Sequence, residues 1–165
     1  MTNELQILIT RNFNGLAFDC YHEDGQDVGN FWATRKQIGQ LLGYKRPANA
    51  ITKIHRQNKT RLDKFSTNVV MTQVEGDRMI TRDVRVYNFK GLLEICRYSQ
   101  QPKANAVIDF LWQISDELRQ RKMQALTQIC IDLQQEATEL RAQAVRMSRM
   151  SAMLALEIAL ISKRS

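Results

Sequence analysis

Residues 33–59 read ATRKQIGQLLGYKRPANAITKIHRQNK, and the order of residue types in this stretch decides how the chain around it folds. Ile38, Leu41 and Leu42 recur at the i, i+3, i+4 spacing of one helical face, with Thr34 placed to cap the first turn. Gly43 then stands just past the helix, where a left-handed backbone carries no steric cost for glycine. Pro47 suits the first turn of a second helix, because the N–H it lacks would have no intrahelical partner there. That second helix has an inner stripe of Ala50, Ile51 and Ile54. The expectation is a helix-turn-helix-like pair.

Charge singles out the same stretch. Residues 34–64 hold nine cations, Arg35, Lys36, Lys45, Arg46, Lys53, Arg56, Lys59, Arg61 and Lys64, against the single acid Asp63. The chain as a whole carries +7, so the other 134 residues net to −1. Segregated charge builds a local potential that attracts a polyanion, whereas interspersed charge mainly confers solubility. Asn49, Lys53 and Arg56 are spaced by four and three residues and share one face of the second helix. Asn pairs with adenine and Arg with guanine in the major groove, the groove wide enough to take a helix. Lys45 and Arg46 at the corner, with Arg35, Lys36 and Lys59, suit phosphates, which position a protein without specifying sequence. The bland alternative is a solvated face on an ordinary helix pair.

On the N-terminal side, LQILI, LAFDCY and VGNFWA are separated by NFNG and HEDGQD, which predicts three short strands with a hairpin corner at Asp24-Gly25. On the C-terminal side, TNVVMTQV (67–74) and RMITRDVRVY (78–87) flank Glu75-Gly76-Asp77 and read as a second hairpin. Arg78, Arg82 and Arg85 on it are candidates to touch a nucleic-acid backbone, as a wing beside the helix pair. Helical spacing returns in FKGLLEICRY, and Pro102 opens a further helix through PKANAVIDFLWQISDELRQ.

From Met123 the apolar pattern becomes a heptad. The a positions are Met123, Cys130, Ala137, Ala144, Ser151 and Ile158; the d positions are Leu126, Leu133, Leu140, Met147, Leu154 and Ile161. Ile129, Met150, Met153, Leu156 and Leu160 widen the stripe. A helix of ~41 residues, ~60 Å long, has more apolar surface than a small domain can cover, so self-association is expected through Leu126, Leu133, Leu140, Met147, Leu154, Ile158 and Ile161. The alternative is a bundle helix packed on its own domain. The fold class expected is α+β, with a head over residues 1–120 and a helical oligomerisation element, a coiled coil, over 121–165.

The remaining composition excludes several classes. Apolar residues at 44% and charged residues at 25% fit a globular protein, not a disordered or fibrous one. MTNELQILIT lacks the pattern of a secretory signal. The most apolar run, MSAMLALEIALI at 150–161, is shorter than the ~20 residues a membrane span needs. Cys20, Cys96 and Cys130 are widely spaced without a CxxC, which reads as free buried thiols in a reducing cytoplasm. His22 reads as a surface turn residue. His55 has no acid at helical spacing and makes a poor general base. With no GxGxxG, GxxxxGK[ST] or HExxH, no enzyme, metal or cofactor is expected.

In sequence order, FWATRKQIGQLLGYKRPANAI, a variable hairpin and VYNFKGLLEICRYSQQPKANAVIDFLW resemble the Bro-N domain, the N-terminal domain of the BRO family of bacteriophage and prophage antirepressors and large DNA-virus proteins. The positions that carry the resemblance are Phe31 and Trp32, Leu42-Gly43-Tyr44, Pro47, Gly91-Leu92, Ser99, and Pro102 with Ala104, over about residues 5–120. Phe110 stands where the family tends to have a tryptophan, and Trp112 comes two residues later. The resemblance implies a phage-encoded regulator in a bacterial cytoplasm, with no membrane partner. Two targets stay open: DNA, met by the basic face, or a phage repressor protein, captured and inactivated by direct binding. A purely structural oligomer is the third reading.

Overall fold

The computed structural model describes residues 5–164 apart from 24, 26, 28, 76 and 77, with backbone alone over 73–75. Five strands, β1 (Gln6–Phe13), β2 (Leu16–His22), β3 (Trp32–Thr34), β4 (Ser66–Glu75) and β5 (Arg78–Asn88), form one antiparallel sheet in the order β1-β2-β3-β5-β4. The helices are α1 (Arg35–Leu41), α2 (Pro47–Gln57), the single turn α3 (Lys59–Leu62), α4 (Phe89–Tyr98) and α5 (Ala104–Arg164). The fold is α+β, as expected.

Asn14 and Gly15, both at positive φ, make the tight turn between β1 and β2, a conformation suited to the twist of a two-residue hairpin. In the expected Asp24-Gly25 corner, Gly25 has φ +87°, and Asp24 lies outside the described residues. Gly76 and Asp77 of the second hairpin also lie outside them, while the strands on either side pair from Glu75↔Arg78 to Ser66↔Tyr87. His22 closes β2 as a half-buried strand residue, not a surface turn.

Strand alternation sends successive residues to opposite faces of the sheet. Cys20, Ala33 and Tyr87 enter the main core with residues of α1, α2, α4 and the start of α5. Their neighbours Tyr21, Trp32 and Val86 join Val69 in a smaller cluster on the other face, with Leu5, Met71 and Val84 against it. Phe18, Phe31, Phe89 and Phe110 make a run of ring contacts with centroids 5.6 to 6.3 Å apart through the main core. Phe110 therefore fills a core position, whereas Trp112 is 44% exposed and meets the edge of that cluster at Phe89.

Between Ala104 and Leu118, α5 buries Val107, Phe110, Leu111, Ile114, Ser115 and Leu118, one stripe at helical spacing. The helix does not break at Met123, where the apolar pattern changes; what changes is burial, since every described residue from 119 onward is exposed. Two compact units result, Met1–Gln120 and Arg121–Ser165. Cys20 and Cys96 are buried, and burial pushes both thiols up to about 12; Cys130 is exposed, contrary to the expectation for all three.

Candidate nucleic-acid interface

Local chemistry builds the helix pair. Thr34 Oγ1 accepts from the Gln37 amide at 3.3 Å while Gln37 Oε1 accepts from the Thr34 amide at 2.9 Å, closing a capping box at the start of α1. At its end, the Gly43 amide donates to Gln40 and the Tyr44 amide to Gly39, a Schellman arrangement that places Gly43 at φ +82°. Pro47 opens α2. A β-carbon on Gly39 would stand 2.6 Å from the Pro47 carbonyl oxygen and 2.8 Å from its Cα. The two helices thus cross backbone against backbone, and only glycine permits that approach. Gly39 escaped the sequence reading, although a glycine in mid-helix, costly in itself, was the available signal.

Around this corner, Tyr44, Lys45, Arg46, Asn49, Lys53 and Gln101 line one open cleft of about 620 Å³. No carboxylate is among its described lining residues. Lys45, Arg46, Lys53 and Arg56 are exposed and form no salt bridge among the described residues. Lys36 is likewise exposed on α1.

Other predicted residues are turned to structural work. Arg35 is half-buried and donates to Thr52 Oγ1 at 3.3 Å, bracing α1 against α2. Lys59 pairs with Asp63. On β5 the alternation separates the three arginines. Arg85 shares its face with Tyr87, under α2, while Arg78 and Arg82 fall at even positions with Val84 and Val86 on the opposite face. Arg82 and Arg78 also stand roughly 17 and 30 Å along the strand from Tyr87. The structure does not bring these two beside the helix pair.

His55, which has no acid at helical spacing, gains one from beyond α2. The turn at Asn58 folds α3 back so that Asp63 Oδ1 lies 2.9 Å from His55 Nε2. His55 Nδ1 is 2.9 Å from the Tyr87 hydroxyl, and Arg85 Nη1 lies 3.0 Å from Nε2. Either neutral tautomer is satisfied: Nε2–H donates to Asp63 while Nδ1 accepts from Tyr87, or Nε2 accepts from Arg85 while Nδ1–H donates. Hydrogen bonds from Lys59 and then His55 hold the Asp63 carboxyl below its usual range. Arg61 does the same for Glu94, and burial pushes the Tyr87 phenol up to about 12. His55 is thus a buried strut behind α2, not part of its outer face.

The predicted seam residues Leu126, Leu133, Leu140, Met147, Leu154, Ile158 and Ile161 are 48 to 71% exposed. Among the described residues no helix is long and apolar enough to cross a membrane, and no group of three His, Cys, Asp or Glu side chains stands together as a metal site.

The model of the BRO family, N-terminal domain, matches residues 20–116. No curated protein and no solved structure matches the chain.

Proposed function

The chain belongs to the BRO family by its N-terminal domain, which supports an antirepressor-like or DNA-binding regulator at family level, and from that premise we propose a phage or prophage regulator whose head contacts DNA and whose C-terminal helix assembles it. The observation that carries the DNA reading is the cleft at the α1–α2 corner, where Lys45, Arg46, Asn49 and Lys53 converge with no carboxylate among the described lining residues. Cations that pair with no described residue can replace the counterions of a phosphate backbone. Asn49, Lys53 and Arg56 supply a helix face with both base-reading and phosphate-seeking groups. This reading assigns the chain no catalytic role.

Assembly rests on the second unit. The heptad d residues line one side, and over 150–161 ten of twelve residues are apolar, all of them exposed. A helix apolar around its circumference calls for burial, which takes more than one neighbouring helix. Copies of the same chain carry the matching surface. That same repeated surface favours the second reading, an oligomer that captures a repressor protein through its helices without touching DNA.

Fluorescence anisotropy of the full chain with short duplexes tests the DNA reading. Arg46→Ala weakens binding to all sequences alike, whereas Arg56→Ala costs about 1–3 kcal/mol on a preferred site and relaxes discrimination there. Absence of any duplex binding by the unaltered protein at low salt refutes the reading and leaves repressor capture.

A further inference from the structure

The cleft at the helix corner is closed on one side by an element far away in sequence. Tyr44 Oη and Ser99 Oγ lie 3.1 Å apart, and Ser99 Oγ also accepts from the Gln101 amide at 3.2 Å. These bonds fasten the turn between α4 and α5 against the turn between α1 and α2. Gln101 lines the cleft in consequence. Lys103, two residues on, is exposed and extends over Gly43: its Nζ is 4.0 Å from where a β-carbon on Gly43 would stand. Among the described residues Lys103 forms no salt bridge.

We infer that the DNA interface continues from α2 onto the α4–α5 turn, where Lys103 and Gln101 complete a phosphate-binding cleft with Lys45, Arg46 and Lys53. The inference rests on the DNA reading above and adds to it a second, sequence-distant element. Three features favour a phosphate of the nucleic-acid backbone as occupant. Lys103 reaches the rim of the cleft at Gly43 from an element other than α2, so an anion there meets cations of two elements. The polar groups of Asn49 and Gln101 add donors beside the charges. Finally, α5 starts at Ala104 with no acidic residue in its first turn, so the positive end of its backbone dipole reinforces the field at the same edge of the cleft. A major-groove helix with a flanking phosphate contact on a separate element also resists rotation in the groove, since two points fix its register better than one. Gly43, whose left-handed backbone (φ +82°) favours glycine, lets the chain turn beneath the Lys103 side chain.

The test is the salt dependence of binding between the full chain and a mixed-sequence duplex, compared for the unaltered protein, Lys53→Ala, Lys103→Ala and Lys103→Arg, each checked for unchanged melting. One lost phosphate contact lowers the magnitude of the slope of log K against log[salt] by about 0.9 and weakens binding roughly eightfold at 0.1 M salt. Lys103→Ala shows that loss, equal to the loss in Lys53→Ala, and Lys103→Arg restores the slope. If Lys53→Ala lowers the slope and Lys103→Ala leaves it unchanged, the extended cleft is wrong while DNA binding through α2 stands. If the unaltered protein binds no duplex, the DNA reading itself fails and takes this inference with it.

Discussion

Arg85 Nη1 lies 3.0 Å from His55 Nε2, so the base of the β4–β5 hairpin is tied to the buried side of the second helix. Asp63 stands across the same nitrogen, 3.7 Å from Arg85, and Tyr87 holds the other side of the ring. An arginine that resembles a wing contact in the sequence is instead a bolt between hairpin and helix pair. Because this bolt is behind α2, its loss is expected to damage stability without removing a phosphate contact.

His55→Ala leaves the Tyr87 hydroxyl and Arg85 without their buried partner and is expected to cost about 1–3 kcal/mol. Urea denaturation at neutral pH reads this as a lower midpoint. The salt slope of DNA binding, measured on the folded variant, stays that of the unaltered protein. An unchanged midpoint contradicts the structural role of the network.

Gly39→Ala forces a methyl group into the Pro47 backbone, where no flexible side chain can yield. Overpacking of this kind costs about 1–3 kcal/mol. Separation of α1 from α2 also tilts the basic face, so affinity for all duplexes falls together with the melting temperature. A variant that melts and binds like the unaltered protein shows that the crossing is looser than described.

Asp63 and Glu94 both titrate lower in the folded chain than their ordinary values of 3.8 and 4.5. The unfolded chain therefore binds more protons between the folded and ordinary values, and stability rises with pH across that window. Their contribution is fully present above the ordinary values and is lost as pH falls through the lowered ones. The urea midpoint is expected to be flat from pH 7 to about 5 and to drop below that. Glu94→Gln, which cannot ionise, shrinks the drop; an acid limb of unchanged size in that variant counts against the Arg61–Glu94 pair.

Leu140→Asp places a charge in the apolar seam of the C-terminal helix. Light scattering is expected to show a multimer for the unaltered protein and the 19.2 kDa chain mass for the variant. Cys130, at an a position of the same seam, reports independently: its thiol reacts slowly in the assembly and fast in the variant, while Cys20 and Cys96 stay unreactive until unfolding. An unchanged mass in the variant refutes assembly through this seam.

What was legible in the sequence follows the range of the interactions. Thr34, Gly43 and Pro47 act within one turn of helix, so their roles could be read directly. So could the long β4–β5 hairpin, whose partners are adjacent in sequence. Strand β3 keeps only three residues because its place between β2 and β5 is set by tertiary pairing, beyond the reach of any local pattern. The site was legible only in part for the same reason. Lys45, Arg46, Asn49 and Lys53 share one local element and do converge, whereas Gln101 is added by the Tyr44–Ser99 contact across fifty-five residues. The division of Arg85 from Arg78 and Arg82 was available in principle, since odd and even positions of a strand face opposite ways. Burial of Tyr87, which decides which face lies under α2, came only with the structure.

The most direct test of the account is the affinity of the intact protein for duplex DNA measured from low to physiological salt. If five or six cations of the helix corner and its surroundings meet phosphates, log K falls linearly with log[salt] at a slope of roughly −4.5 to −5.5. A duplex affinity that is absent at low ionic strength, or that does not change with salt, contradicts the reading of this basic cleft as a DNA interface.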